Sequence, residues 1–258
     1  MGRLEGIETV LMDLDGTLYV GSRVVDGAPE AVRRLREQGL AVRFCTNTDS
    51  ITPAELAERL GGRGFPVSED ELVTPVAVAA RLLGSDPEAR VLAVAAGGVR
   101  ELLTDLLAGA GERVTHVLVA DPSYGAAYGD LDAAFQAVRD GAELLATQVN
   151  RVAVRDDGEH LDTGGWVRLL EYATGATARV LGKPSPEFFT VPLEALGRGP
   201  GTALVVGDDL EADIGGGSAV GAATVLVRTG KGDPPPGAGV EPDAVIDSVA
   251  DLPDLLRR

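Results

Sequence analysis

Four short polar segments, spread over almost the whole chain, carry the residue types that a phosphate site requires. They are Asp13-Leu14-Asp15-Gly16-Thr17, Thr46-Asn47, Gly182-Lys183-Pro184, and Gly207-Asp208-Asp209 followed by Asp213. Together they supply a carboxylate nucleophile, a second acid, a hydroxyl, a cation and metal-binding carboxylates. Each segment follows an apolar run typical of a β-strand, and open α/β sheets bind ligands at the carboxyl ends of their strands. We therefore expect the segments to converge.

The D-x-D pattern in the first segment is weak on its own, because the chain has 22 aspartates. Chance gives this pattern roughly twice in such a chain, and a second copy occurs at Asp130-Leu131-Asp132. That copy precedes a helical pattern, so one of its aspartates is predicted to be a helix N-cap. The first copy instead lies between an apolar run and Gly-Thr, which predicts a strand that ends in a flexible turn.

In this order, the four segments resemble the motifs of the haloacid dehalogenase superfamily of phosphotransferases, and the resemblance covers nearly the whole chain. It implies that Asp13 is a nucleophile that forms an aspartyl phosphate and that Asp15 is the general acid and base. Family members that break carbon–halogen bonds lack the second acid, and the transport ATPases carry Thr there, so Asp15 favours phosphoryl transfer. The resemblance also assigns phosphate binding to Leu14, Thr46, Asn47 and Lys183.

A site of this kind needs positive charge. A phosphate monoester carries about two negative charges, and it must approach two carboxylates on a chain of formal net charge −17. Lys183 offers a compact ammonium. Asp13 and Asp208, with the backbone carbonyl of Asp15, present the hard oxygen ligands that Mg²⁺ prefers. Magnesium is therefore the predicted cofactor.

Several neighbouring residues are assigned supporting roles. Asp209 and Asp213 are predicted to orient the metal ligands, although either could instead cap the helix that is predicted from Glu211. The Thr46 hydroxyl can donate to a phosphate oxygen, and Asn47 can hold its loop.

Composition indicates a globular enzyme, with 45% hydrophobic and 24% charged residues. No apolar run approaches the ~18 residues of a membrane helix, and the first residues lack the core of a signal peptide. The acidic balance argues against binding to nucleic acid. With one cysteine, no internal disulfide can form. We predict a cytoplasmic protein that acts on a small phosphorylated molecule and binds neither nucleic acid nor membrane.

Strand-like and helix-like segments alternate, which predicts an α/β fold with a Rossmann-like parallel sheet. The predicted core comprises residues 1–73 and 179–258. Residues 74–178 between them are predicted to form a second, smaller α/β domain. By resemblance this insert is the α/β cap of the subgroup that includes 4-nitrophenyl phosphatases, a cap that covers the core site and selects the leaving group.

Within that subgroup, residues 42–48, 169–174, 182–189 and 207–209 are most similar to the phospholysine phosphohistidine inorganic pyrophosphate phosphatases. Two cap stretches depart from the subgroup, Thr-Gln-Val-Asn at residues 147–150 and Asp-Thr-Gly-Gly-Trp at residues 162–166. Candidate leaving-group contacts, each alternatively an ordinary core or interface residue, are Tyr124, Tyr128, Gln148, Asn150 and Trp166. A homodimer formed through the cap is left open.

Two other functional classes remain as alternatives. A signalling receiver domain also uses a phosphorylated aspartate, but its acidic pair precedes the nucleophile and it has no domain-sized insert. A silent binding protein for phosphorylated metabolites would keep the fold without turnover. Rapid hydrolysis of 4-nitrophenyl phosphate favours the enzyme, whereas a long-lived stoichiometric acyl phosphate favours the receiver.

Overall fold

The computed structural model describes residues 3–121, 126–155, 158–233 and 239–257, with only the backbone of residues 154 and 155. The strands are β1 (Thr9–Asp13), β2 (Tyr19–Val20), β3 (Arg23–Val24), β4 (Ala41–Cys45), β5 (Leu72–Val73), β6 (Val91–Val94), β7 (His116–Val119), β8 (Glu143–Ala146), β9 (Val152–Arg155), β10 (Gly158–Leu161), β11 (Arg179–Val180), β12 (Ala203–Gly207), β13 (Ala223–Val227) and β14 (Ala244–Ile246). The α-helices are α1 (Ala28–Glu37), α2 (Pro53–Gly62), α3 (Pro75–Gly84), α4 (Gly97–Glu101), α5 (Tyr128–Arg139), α6 (Thr163–Thr174), α7 (Pro186–Ala195), α8 (Gly216–Ala219) and α9 (Leu252–Leu255). A π-helical turn, Leu210–Gly215, precedes α8.

The internal contacts divide the chain into two units. The first comprises the residues up to Thr46, Pro53–Val73 and the residues from Lys183 onwards. The second comprises Asn47–Thr52 and Thr74–Gly182.

The first unit is built on a six-stranded parallel sheet in the order β14-β13-β12-β1-β4-β5. Strands β1, β12 and β13 are buried along their whole length, as parallel strands are when crossover helices cover both faces. Helix α1 buries Ala31 and Leu35 at helical spacing, which suits such a crossover. The predicted α/β class with a Rossmann-like parallel sheet is confirmed.

The strand order brings the carboxyl ends of β12, β1 and β4 side by side. Asp13 is the last residue of β1, Thr46 follows β4, and Asp208 follows β12. The chain leaves β1 for β4 on one side, and its later part returns as β12 on the other. This is a topological switch point, where open α/β sheets bind their ligands.

The second unit has its own four-stranded parallel sheet, in the order β11-β8-β7-β6, and the antiparallel hairpin β9–β10. Successive residues of β7 point to opposite faces. Val117 joins the apolar cluster that includes Val138 of α5 and Val167 of α6, whereas Leu118 joins the cluster that includes Ala79 of α3. Whether this unit acts as a cap stays a prediction.

Two local features differ from the sequence expectations. Strand β11 pairs with β8, so the second unit continues to Gly182 rather than ending at residue 178. Helix α5 begins at Tyr128 after Ala127, so the N-cap prediction for the second D-x-D copy is wrong. Asp130 instead lies in the first turn. Its carboxylate accepts a hydrogen bond from the Ala127 backbone N–H at 2.9 Å and thus satisfies a backbone donor at the start of the helix.

Among the described residues, no helix combines the length and the apolar character needed to cross a membrane.

Candidate active site

Lys183 bridges two carboxylates of the first unit. Its Nζ donates to Asp13 Oδ1 and, at 2.7 Å, to Asp213 Oδ1. All three side chains are buried, so salt and water screen their charges little. Asp13 ends β1, and Asp213 lies in the π-helical turn after the neighbouring strand β12. The sheet therefore gathers two of the predicted segments around the predicted cation.

The pKa shifts in this cluster indicate an excess of negative charge. Burial raises the pKa of Asp13 to about 7 against the attraction of Lys183, and Asp213 and Asp208 add to the rise. Burial alone would lower the pKa of Lys183, but Asp13 and Asp213 outweigh it and hold that pKa above its usual range. Within the described residues, the buried Lys183 ammonium thus pairs with Asp13 and Asp213, while Asp208 adds a third carboxylate to the same group.

Lys183→Met is expected to destabilise the metal-free fold by about 3–5 kcal/mol, because it leaves Asp13 and Asp213 buried together without their cation. The loss should shrink as the pH falls, since the raised pKa of Asp13 lets this carboxylate take up a proton and removes its repulsion with Asp213. Urea unfolding in chelator at several pH values measures both effects.

Lys231→Met is the matched control, because the Lys231 side chain is 65% exposed and pairs with Asp209 at the surface. It should cost less than about 1 kcal/mol. Equal losses in the two variants would contradict a charge-balancing role for Lys183.

Asp13, Asp208 and Asp213 form the group of carboxylates that could hold a metal ion within the described residues, with oxygens within 4.8 Å of one another. Asp13 Oδ2 is buried and has no hydrogen-bond partner in the described part of the chain. A buried oxygen in this state costs free energy, and carboxylate oxygen is the usual ligand of hard divalent cations. The residues therefore fit a divalent cation.

Asp209 and Asp213, for which the sequence left two alternatives, have different surroundings. Asp213 Oδ1 is bound by the lysine described above, and its Oδ2 accepts from the Asp209 backbone N–H at 3.2 Å. Asp209 caps the π-helical turn by accepting from the N–H groups of Glu211 and Ala212, at 2.9 and 3.0 Å. Asp209 thus takes the helix-cap alternative, whereas Asp213 lies inside the carboxylate cluster.

Two glycines let the backbone close around Asp208. Gly16 has a φ of +88°, in the left-handed region, and a Cβ there would overlap the Asp208 carboxylate. A Cβ on Gly230 would do the same. The next residue, Lys231, donates its backbone N–H to Asp208 Oδ2 at 2.9 Å. A larger residue at either glycine would displace this carboxylate.

Asp15 is exposed, unlike Asp13. The hairpin β2–β3 lies beside it, because the Gly16 N–H donates to the Tyr19 carbonyl at 2.7 Å. The Arg63 guanidinium stacks 4.0 Å from the centre of the Tyr19 ring. Burial and the nearby Asp15 raise the pKa of the Tyr19 phenol to about 12, so the phenol stays neutral. The hairpin therefore fixes the backbone next to Asp15, while the Asp15 side chain is exposed to solvent.

The phosphate-binding candidates do not all belong to one unit. Leu14, Thr46 and Lys183 are buried in the first unit. The Thr46 N–H donates to the Val73 carbonyl at 3.0 Å, which extends the pairing of β4 and β5 and fixes the position of Thr46. Asn47, half-buried, belongs by its contacts to the second unit.

The predicted leaving-group contacts of the second unit have unlike surroundings. Tyr128 and Asn150 are exposed. Gln148 is buried, and both ends of its side-chain amide are hydrogen-bonded within the unit. Trp166 is half-buried against the cluster formed with α5 and α6. Tyr124 lies outside the described residues.

Two residues of interest escaped the sequence analysis. Lys231 follows Gly230 just beyond β13, the strand that pairs with β12. Its position after an apolar, strand-like run could have indicated that it lies near the site. Asp49 is buried and accepts hydrogen bonds from two threonines of the second unit. The polar run Thr48-Asp49-Ser50 has the composition of a surface turn, so the sequence held no signal for its burial.

Comparison with known proteins identifies the family of this chain. Residues 10–107 match the family described as haloacid dehalogenase-like hydrolase, and residues 180–252 match a HAD-hydrolase-like family. The rat phospholysine phosphohistidine inorganic pyrophosphate phosphatase is 35% identical over an alignment that covers 98% of this chain and 96% of the relative.

Solved structures share the fold. The p-nitrophenyl phosphatase of Archaeoglobus fulgidus superposes with a TM-score of 0.86 at 27% identity, covering 96% of this chain and 99% of that one. The glycerol phosphate phosphatase of Mycobacterium tuberculosis, in complex with calcium, gives 0.82 at 29% identity and covers 98% of this chain and 76% of that one. The chain therefore belongs to the haloacid dehalogenase-like hydrolase family, among its phosphatases.

Proposed function

We propose that this phosphatase depends on magnesium and hydrolyses small phosphorylated metabolites through a phosphorylated Asp13. The observation that carries the proposal is the buried cluster in which Lys183 joins Asp13 to Asp213 while Asp13 Oδ2 is left without a partner among the described residues. A carboxylate that is buried, oriented by a lysine and only partly satisfied is suited to attack phosphorus.

Asp13 and Asp208, with the Asp15 carbonyl, are the proposed magnesium ligands, and Asp213 is proposed to orient them through Lys183 and the Asp209 N–H. Bound magnesium would supply the positive charge that lets a phosphate approach these carboxylates. Asp209 contributes by capping the turn that carries Asp213.

In the first chemical step, an Asp13 carboxylate oxygen forms a bond to phosphorus as the bond to the leaving oxygen breaks. Asp15, in its acid form, donates its proton to that leaving oxygen. Lys183 keeps Asp13 oriented and balances charge as the acyl phosphate forms. The exposed position of Asp15 supports this role, since the same group must later exchange a proton with water.

In the second step, Asp15 as a carboxylate takes a proton from water while the water oxygen attacks phosphorus. The bond between phosphorus and the Asp13 oxygen breaks, which restores the Asp13 carboxylate and releases inorganic phosphate. The Thr46 hydroxyl, the backbone at Leu14, and Asn47 are proposed to hold the phosphate oxygens during both steps.

The second unit is proposed to act as the cap that selects the leaving group. The relative with phospholysine, phosphohistidine and pyrophosphate in its name makes phosphoamides and pyrophosphate candidate substrates for this chain too. Purified protein with magnesium should be assayed on these compounds, on sugar phosphates and on 4-nitrophenyl phosphate. We expect multiple turnovers of at least one of them. A stable stoichiometric acyl phosphate would instead support a phosphoacceptor, and binding without either would support a silent binding protein.

Tyr128→Ala and Asn150→Ala are expected to change selectivity more than general activity, because both side chains are exposed on the second unit. For the best substrate of the panel, kcat/KM should fall by about tenfold, equivalent to about 1.4 kcal/mol. The value for acetyl phosphate should change little, since its leaving group is small. Tyr172→Ala on α6, where Tyr172 is 94% exposed, is the control. A uniform loss on both substrates would argue against a role in recognition.

A further inference from the structure

Asp49 is a buried carboxylate of the second unit and is not a member of the catalytic cluster, whose residues belong to the first unit. The residue is 4% exposed. Its Oδ2 accepts hydrogen bonds from the Thr147 hydroxyl at 2.5 Å and from the Thr163 hydroxyl at 2.9 Å. These donors come from parts of the chain about 100 residues away in sequence, so a single carboxylate oxygen joins three distant segments.

The two threonines begin the segments that carry most of the predicted leaving-group contacts. Thr147 opens the loop that contains Gln148 and Asn150, and Thr163 is the first residue of α6, one turn before Trp166. Further hydrogen bonds tie the loop to the helix. Asp162 Oδ1 accepts from Gln148 Nε2 and from the Thr163 N–H, both at 2.7 Å, and the Gly164 N–H donates to the Asn150 carbonyl at 3.0 Å.

The sequence neighbours of two predicted phosphate-binding residues, Thr46 and Lys183, also lie beside Thr147. Gly182 is packed so closely that a Cβ on it would overlap the Thr147 carbonyl oxygen and lie 2.7 Å from Asn47 Oδ1. Asn47 directly follows Thr46 in the sequence, and Gly182 directly precedes Lys183. We name this arrangement the Asp49 junction: residues 47–52, residues 147–150, residues 162–164 and Gly182.

The charge state of Asp49 favours its role as a hydrogen-bond acceptor. Burial raises the pKa of Asp49 to about 6 against the bonds from Thr147 and Thr163, and the carboxylates of Asp162 and Asp121 add to the rise. At pH 7.5 the side chain is therefore ionised and accepts both hydroxyls. Burying a carboxylate costs free energy. The burial of Asp49 is consistent with a role for its geometry in recognition.

We propose that Asp49 is a positioning residue that holds the 147–150 loop and the start of α6 on the segment after Thr46, and that it thereby sets the preference among leaving groups. It acts through Thr147 and Thr163 and touches no substrate. The inference rests on the proposed phosphatase function. It adds a residue outside the catalytic cluster that governs which esters are cleaved.

The test compares kcat and KM for 4-nitrophenyl phosphate and acetyl phosphate, with magnesium at pH 7.5. In Asp49→Ala, the ratio of the two kcat/KM values should fall by about tenfold, mainly through a higher KM for the aromatic ester. Asp49→Asn keeps an acceptor oxygen and should restore most of the ratio. Thr163→Val should give part of the fall, and adding it to Asp49→Ala should cause no further fall.

Trp166 is the single tryptophan of the chain, so its fluorescence reports on the start of α6. Its emission should shift in Asp49→Ala. It should not shift in Thr174→Val, a change at the other end of α6, where the bonds of the Thr174 hydroxyl to described residues are to the Leu170 carbonyl and the Ala176 N–H. The Asp49 variant should still fold, because the Thr147 hydroxyl also lies 3.1 Å from the Val119 carbonyl and can donate there instead.

An equal fall for both substrates in Asp49→Ala would overturn the inference, as would a fluorescence shift with an unchanged substrate ratio. A wild-type protein that hydrolyses neither compound, nor any member of the wider panel, would defeat the proposed function itself. An active wild type with an unchanged ratio in Asp49→Ala would overturn this inference alone.

Discussion

Asp13→Asn should give a folded protein with no measurable turnover of 4-nitrophenyl phosphate. Asparagine keeps the shape of the side chain but is a poor nucleophile, so no acyl phosphate can form. Asp15→Asn should retain the nucleophile but lose the proton transfers, which typically contribute about 10²- to 10⁴-fold. A burst of bound phosphate without turnover in Asp15→Asn would separate the two roles.

Stability measurements distinguish lost chemistry from lost fold. Because the pKa of Asp13 is raised on folding, its ionisation weakens the metal-free protein as the pH rises from about 4 to about 7. Asp13→Asn lacks this ionisation, so in chelator it should be at least as stable as wild type at pH 8, and the difference should vanish near pH 4.

The control for Asp13→Asn is Asp132→Asn, the same substitution at the exposed aspartate of the second D-x-D copy, which should change neither activity nor stability. Near-wild-type turnover in Asp13→Asn would refute the mechanism.

Much of the core could be predicted from the sequence because its signals are local. Strands β1, β4 and β12 are the apolar runs that precede three of the four polar segments. An apolar, β-branched run between turn residues has few alternatives to a buried parallel strand. The polar segments follow such runs, so their meeting at one sheet edge follows from the topology of parallel sheets.

The supporting residues could not be predicted because their roles depend on tertiary partners. Asp209 and Asp213 are four residues apart, and either could have capped the turn. Backbone geometry decides it: the N-cap residue must have a non-helical conformation, and Asp209 has φ −95° and ψ 114°. For Asp49 and Gln148, the hydrogen-bond partners come together only when the second unit folds, so local composition predicts exposed loops instead.

Magnesium is expected to stabilise the protein as well as activate it. In the metal-free state Asp13, Asp208 and Asp213 crowd one edge of the sheet with Lys183 as their buried cation, and an unfolded chain offers no equivalent site. A ligand that binds only the native state contributes about 2.7 kcal/mol at 100 times its dissociation constant. For a chain of this size that corresponds to a rise in Tm of about 5–10 °C.

Asp208→Asn should lose most of this stabilisation and most of the activity, since it removes a charged ligand while it preserves volume. Asp209→Asn is the matched control one residue away. Asparagine can still cap the π-helical turn, and Asp209 lies outside the carboxylate cluster, so the magnesium response should persist.

Calcium should stabilise wild type but support little turnover, because its looser coordination holds the nucleophile and phosphate less well in line. Melting curves and rates in chelator, magnesium and calcium decide the matter: full activity in chelator, or an unchanged magnesium response in Asp208→Asn, would refute the metal assignment.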